Sequence, residues 1–309
     1  MTLPPTPKSQ HYVWQHYLEA WAIGGTIACY RQRERKPFRP GTKNIATETY
    51  FYRTYDLTER ELAYLEATIA QRPNSAMHAS HREFVAMFSM ISGLRRLLAE
   101  RGKGDPDARA QSQALLEHLE RSVGESYQVA VEAKGLPLLA ALRGGDGAFW
   151  HDEDTACDFS YFIATQYIRT ARMRNKVMGE TSRFGVDLRR LWPIESHFWA
   201  SEIGLALFAK SECYRPVMLS NISGVPFITG DQPVINLTPQ AGFMKLFYPV
   251  APDRALLLTA EPTEQDRAVS TLEAEHLNSA IYSWSDDQIY GLDTSYLAEL
   301  ATLAKSPTS

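Results

Sequence analysis

Apolar residues recur at helical spacing along the first two thirds of the chain and contract to short runs after Ser211. Between Tyr12 and Ala22, the positions Trp14, Tyr17, Leu18, Trp21 and Ala22 fall on one stripe, which predicts an amphipathic helix. Gly24-Gly25 ends it, Thr26 to Tyr30 has strand character, and Arg31 to Arg39 follows as a basic loop. Thr58-Glu-Arg-Glu61 is a capping box, in which the threonine hydroxyl and the glutamate carboxylate each satisfy an orphan backbone amide of the other. The helix it opens carries Leu62, Leu65 and Ile69 on one face. Ser80 to Glu100 and Ala108 to Val123 predict two more helices, parted by a break at Gly102-Lys-Gly-Asp-Pro106, and Tyr127 to Val131 alternates like a short strand. Gly144-Gly-Asp-Gly147 predicts a turn, Asp154 to Met178 one long helix, and Phe198 to Lys210 another after a break at Pro193.

After Ser211, the runs Pro216 to Ser220, Pro226 to Thr229, Lys245 to Val250 and Ala255 to Thr259 predict strands, and helices over 263–282 and 290–303 close the chain. The expected class is α+β: mostly helical, with a small mixed or antiparallel sheet formed largely by the C-terminal third. One large domain over 1–309 is expected, with a helical subregion over 56–145. Of the 309 residues 44% are apolar and 22% charged, which fits a folded chain and excludes a disordered or collagenous one. Cys29, Cys157 and Cys213 are odd in number and form no CxxC, so neither a disulfide framework nor a structural zinc site is expected. The most apolar stretch, Phe84 to Leu94, is far shorter than the about 20 residues of a membrane-spanning helix. Met1 to Lys8 has no apolar run of the secretory kind, so no membrane association and a cytoplasmic location are expected.

The net charge is −4, but it is unevenly spread. Arg169 to Arg190 holds seven Lys/Arg against two acids, and Glu261 to Ser309 holds nine acids against two bases. An anionic partner, nucleic acid or nucleotide, near the first region would explain the asymmetry; so would a solvated helix face offset by an acidic neighbour.

Six segments occur in an order that resembles DUF4238, a bacterial family named as a domain of unknown function. They are His11-Tyr-Val-Trp-Gln-His-Tyr-Leu18; Asn44-Ile-Ala46 leading to Tyr50-Phe-Tyr52; Phe162-Ile-Ala-Thr-Gln-Tyr-Ile-Arg-Thr-Ala-Arg172; Phe227-Ile-Thr-Gly-Asp-Gln-Pro-Val234; Phe247-Tyr-Pro-Val-Ala-Pro252; and Leu277-Asn278. The resemblance spans about residues 10 to 285 and implies a mixed fold and a prokaryotic intracellular setting. The family pattern favours Pro where this chain has Trp14 and Ser where it has Gly230, so no hydroxyl stands beside Asp231.

Four groups of polar residues carry candidate chemistry. Asp231 sits in a tight turn after a strand-like run, where a carboxylate can bind Mg2+ or Mn2+, act as a base, or simply cap the turn. Gln166, Arg169 and Arg172 lie on the long predicted helix beside Phe162 and Ile163. An arginine on a partly apolar face needs an anion, either a substrate phosphate or an internal acid such as Asp231. His11 opens the first helix and suits general acid–base work near neutral pH or a hydrogen-bonded core position. Asn278, mid-helix, needs its amide satisfied, by substrate or by protein. The Gly144–Gly147 turn lacks the Lys-Ser/Thr of a phosphate cradle, and no GxSxG elbow is present. The expected function is a phosphate-substrate hydrolase, nuclease-like, in a toxin or phage-defence setting. The alternatives are a non-enzymatic module that binds or senses a nucleotide or nucleic acid, and an internal ion-pair network. The enzymatic roles require His11, Arg169 and Asp231 to meet.

Overall fold

The computed structural model describes residues 8–101, 106–181 and 185–304. Met1 to Pro7, the Gly102–Asp105 part of the expected break and the tail from Lys305 lie outside the described residues. The chain is an α+β protein whose strands lie at its two ends and whose long helices fill the middle.

The N-terminal strands are β1 (Ser9–His11), β2 (Ala22–Ile23), β3 (Thr26–Arg31), β4 (Lys36–Phe38) and β5 (Thr47–Thr49), with α1 (Gln15–Leu18) between the first two. The helical middle comprises α2 (Glu59–Gln71), α3 (His78–Arg101), α4 (Pro106–Gly144), α5 (Glu153–Ile168), α6 (Ala171–Thr181) and α7 (Leu188–Phe208). The C-terminal part holds β6 (Arg215–Asn221), β7 (Thr229–Gly230), β8 (Ile235–Asn236), β9 (Leu246–Ala251), β10 (Arg254–Thr259), β11 (Arg267–Val269), α8 (Thr271–Trp284), β12 (Gln288–Gly291) and α9 (Thr294–Leu303).

Strands β11-β6-β10-β9-β8 form one sheet, antiparallel except where β11 runs parallel to β6. A second, antiparallel sheet has the order β2-β3-β12-β7 with β4 also on β3, so N- and C-terminal strands share it. Strands β1 and β5 pair separately, His11 opposite Thr47. The helical region 56–145 holds α2, α3 and α4.

The Thr58 capping box forms, and Leu65 and Ile69 are buried while Leu62 faces out. Gly24 and Gly25 adopt φ of 59° and 76°, the left-handed region that glycine enters without steric cost, and so turn β2 back into β3. Five expectations need correction. The stripe from Tyr12 to Ala22 is helical only over α1 and one 3-10 turn, because its aromatic side chains peg it to the sheets instead of extending it. The Tyr17 hydroxyl lies 2.6 Å from Thr229 Oγ1 and donates to the Pro249 carbonyl, and Trp21 Nε1 donates to the Phe227 carbonyl.

The expected strand at Tyr127 to Val131 lies inside α4. Gly124, Gln128, Val131, Gly135, Leu138 and Leu139 recur there at helical spacing and are all buried, and that buried face outweighs the local alternation. The expected helix over 154–178 is two helices, α5 and α6, broken at Arg169-Thr170. Pro193 stays within α7, near its start, at the cost of one bond to the Arg189 carbonyl. The basic segment after Arg31 is a hairpin, with β4 returning on β3. Among the described residues no helix is long and apolar enough to cross a membrane.

Helix α4 approaches its neighbours where it has glycine. A Cβ on Gly124 would run into the Tyr52 carbonyl, and one on Gly135 into the Phe162 ring. Gly93 in α3 has open space at the same position. Gly124→Ala is therefore expected to destabilise by about 2 kcal/mol or more, overpacking outweighing the gain of about 1 kcal/mol in helix propensity. Gly93→Ala is expected to stabilise by roughly 0.5–1 kcal/mol. Denaturant midpoints of the two variants should move in opposite directions.

Candidate functional site

The break between α5 and α6 positions the most deeply buried charge in this part of the molecule. Thr170 makes the break: its hydroxyl accepts from the Met173 amide, capping α6, and donates to Gln232 Oε1 at 2.5 Å. Arg169 thus leaves the end of α5 pointing inward, with 1% of its surface exposed. Its guanidinium lies 2.8 Å from Glu132 Oε1 and donates to Gln166 Oε1 at 2.9 Å and to Gln128 Oε1 at 3.3 Å.

Helix α4 supplies the opposing face. Glu125, Gln128 and Glu132 stand at i, i+3 and i+7, so they line one side of the helix. Glu132 keeps 17% of its side chain exposed and Glu125 is half-buried, so the carboxylates form the outer part of a basin floored by Arg169, Gln166 and Gln128. Burial pushes the Glu125 carboxyl up to about 7, with a further push from the charge of Glu132, while Arg169 opposes both. Burial also raises Glu132, held back by the same guanidinium.

His11, half-buried at the end of β1, lies close enough to feel that guanidinium. Burial lowers its imidazole, a bond to the Thr42 carbonyl at 3.4 Å opposes this, and the charge of Arg169 lowers it further. The imidazole is therefore neutral at pH 7. Tyr52 donates to the His11 carbonyl at 3.0 Å, and Tyr248 of β9 completes the inner wall.

Arg169 Nε, Gln166 Nε2 and the Tyr248 hydroxyl are three buried donors with no hydrogen-bond partner, and Glu125 Oε2 is a buried acceptor in the same condition. Buried polar groups are rarely left unmet, so this cluster holds hydrogen-bonding capacity around one charge that the protein itself leaves unspent. A carboxyl that titrates near neutrality beside one paired with a guanidinium is also the arrangement that separates an acid from a base.

Of the residues singled out from sequence, His11, Gln166 and Arg169 come together here. Asp231 does not join them; the carboxylate that meets Arg169 is Glu132. Asp231 is 2% exposed and its two oxygens accept the backbone amides of Asp286, Asp287 and Gln288 at 2.7, 2.8 and 2.9 Å. That is the turn-capping arrangement, with one amide on Oδ1 and two on Oδ2. Burial outweighs those three bonds and raises its carboxyl to about 6.

Arg172 donates to the Ser285 carbonyl and lies over the Trp284 ring, beside the loop that Asp231 caps. Asn278 is fully occupied within the protein: Oδ1 accepts from the Ile228 amide, and Nδ2 donates to the Pro226 carbonyl and the Tyr296 hydroxyl. Among the described residues no three His, Cys, Asp or Glu side chains gather as a metal-holding group. Glu125, Gln128, Glu132, Tyr52 and Tyr248 were not singled out from sequence. The first three carried a signal in their one-face spacing, and the tyrosines lie within two of the six segments that resemble the family.

Fold and site together define an α+β protein built around a buried arginine–carboxylate basin. The chain matches the family described as a protein of unknown function (DUF4238) over residues 9–295, and it belongs to that family. No curated protein and no solved structure matches it.

Two measurements separate the structural acid from the titrating one. Asp231→Ala orphans three buried amides and is expected to lower stability by roughly 3 kcal/mol or more, read as a denaturant midpoint. A carboxyl raised by folding binds its proton more tightly in the folded protein, so Glu125 makes stability fall as pH rises from about 4.3 to 7 and adds no further slope above that. Denaturation of wild type and Glu125→Gln across this window should show wild type losing ground steadily to the variant, the unchanged Asp231 cancelling in the difference.

Proposed function

We propose that the basin around Arg169 is the active site of a hydrolase acting on a phosphate-bearing substrate, nuclease-like in its chemistry. The observation that carries this reading is the cluster of three buried, unpartnered donors around one guanidinium. Phosphoryl oxygens are the groups such donors suit: Arg169 Nε, Gln166 Nε2 and the Tyr248 hydroxyl would each take one bond and stabilise charge developing in the transition state. Glu132, whose carboxyl burial raises and Arg169 holds back, would accept a proton from attacking water. Glu125, protonated in part at neutral pH, is placed to give one to the leaving oxygen. Neutral His11 at the rim can receive or relay a proton.

A second reading has one specific observation in its favour. Glu132 already neutralises Arg169 at 2.8 Å, which weakens the pull on a phosphate dianion and suits a module that binds or senses a nucleotide without turning it over. If the substrate is nucleic acid, a toxin or phage-defence effector acting in the cytoplasm is the corresponding biological role.

The test uses purified protein incubated with RNA, DNA and nucleotides, with and without Mg2+ or Mn2+, alongside Glu125→Gln and Glu132→Gln. Turnover by wild type that falls at least about 100-fold in Glu125→Gln, in a variant that melts cooperatively, supports the hydrolase. Saturable nucleotide binding with no product supports the sensing module. Neither turnover nor binding leaves the basin as an internal ion-pair network and removes both functional readings.

A further inference from the structure

A second cluster of buried charge lies away from the basin, where the C-terminal end of α2 meets α7. A cavity of about 430 Å³ opens there, lined by Tyr64, Gln71, Arg72 and Pro73 on one side and by Trp199 and Glu202 on the other. Arg72, with only 8% of its side chain exposed, sits 5.0 Å from the Phe198 ring centre and 5.1 Å from that of Trp199. Its nearest carboxylate, Glu195, is 3.5 Å away, a long contact for a buried pair, and its Nε has no hydrogen-bond partner. Among the described residues Glu202 meets only the His81 ring, at 3.4 Å, and its charge is felt by Arg72. Trp199 leaves 42% of its surface uncovered at the cavity wall, which makes an aromatic face available there.

We propose that this cavity binds a small zwitterion, an α-amino acid with an aromatic or bulky apolar side chain. Arg72 and Glu202 supply opposite charges on one cavity, held in place by packing and neither well matched within the protein. A ligand carboxylate would complete the coordination of the Arg72 guanidinium, and a ligand ammonium would meet Glu202 together with the carbonyls that end α2, where the helix dipole favours a cation. The side chain would cover the open part of Trp199 and the face of Pro73. The volume lies within the range of small-ligand sites and far below what a protein segment needs. The site is independent of the basin and of any activity there.

The experiment is calorimetric titration of the full chain with three probes that share a phenyl ring: L-phenylalanine, 3-phenylpropionate, which lacks the ammonium, and phenethylamine, which lacks the carboxylate. Wild type is expected to bind L-phenylalanine at one site and to prefer it at least about tenfold over each analogue. Glu202→Gln keeps the shape and removes the charge. It is expected to abolish the preference for L-phenylalanine over 3-phenylpropionate while leaving the affinity for 3-phenylpropionate unchanged. Trp199→Ala, at a half-exposed position that does not threaten folding, is expected to weaken all three probes. Equal affinity for the three probes, no saturable binding at millimolar concentration, or discrimination that survives Glu202→Gln in a variant with wild-type melting would each overturn the proposal.

Discussion

Arg169 is the constraint around which the molecule is arranged. Taking a guanidinium out of water costs several kcal/mol unless its hydrogens and its charge are met in place. Meeting them requires Glu132 and Gln128 from α4, Gln166 one turn earlier on α5, and a backbone that stops being helical just where the side chain must turn inward. That in turn requires α4 to approach very closely, which it does through Gly124 against the Tyr52 backbone and Gly135 against Phe162. The N-terminal strand is held to the same helix by Gln10, fully buried, which donates to the Arg121 carbonyl and accepts the Tyr52 amide. A single buried charge therefore accounts for a helix break, two glycines and an amide clamp that look unrelated along the chain.

The segments that carry the family resemblance meet around this point. Tyr17, from the first, stacks on Tyr248 of the fifth with ring centres 5.0 Å apart, and its hydroxyl bridges Thr229 of the fourth and Pro249 of the fifth. Tyr52 of the second holds the His11 backbone, and Arg169 of the third is the charge beneath. Asn278 of the sixth fixes the strand leading to Thr229 through the Ile228 amide. Short polar motifs spread over more than two hundred residues are thus one three-dimensional unit, in which most members orient others and a few face the basin.

How much of this was legible follows from how local each signal is. The Thr58 capping box, the Gly24-Gly25 turn and the strands around Met218, Tyr248 and Leu257 rest on contacts within a few residues or on simple alternation, and they are where the sequence places them. The break at Arg169 was hidden because Phe162 to Met178 keeps a helical pattern throughout. Only the tertiary bond from Thr170 to Gln232, 62 residues away, makes the cap worth more than one further helical turn. The alternation of Tyr127 to Val131 misled for the opposite reason: local pattern was present, but burial followed the longer helical period. Arg169, Gln166 and His11 stood out as polar residues in apolar surroundings. Their partners on α4 share one face, but Glu125 and Glu132 lie in a helix rich in charge, where that spacing alone does not tell an inward carboxylate from a solvated one.

Asp231 and Glu125 show why a perturbed acid is not by itself a site. Both carboxyls are pushed upward mainly by burial, Asp231 to about 6 and Glu125 to about 7. What differs is how their oxygens are used. Asp231 commits both to three amides of the loop that leads into β12, the strand paired with β7. Glu125 keeps a buried oxygen with no partner and is raised further by the charge of a second carboxylate, Glu132, rather than held by a row of amides. Desolvation makes the proton affinity of both groups unusual, but only a group with unspent hydrogen-bonding capacity and a path to solvent can turn that affinity into chemistry. Of the two, the acid with hydrogen-bonding capacity to spare sits in the middle of α4, whereas the aspartate in the strand-end turn caps the loop that leads into β12.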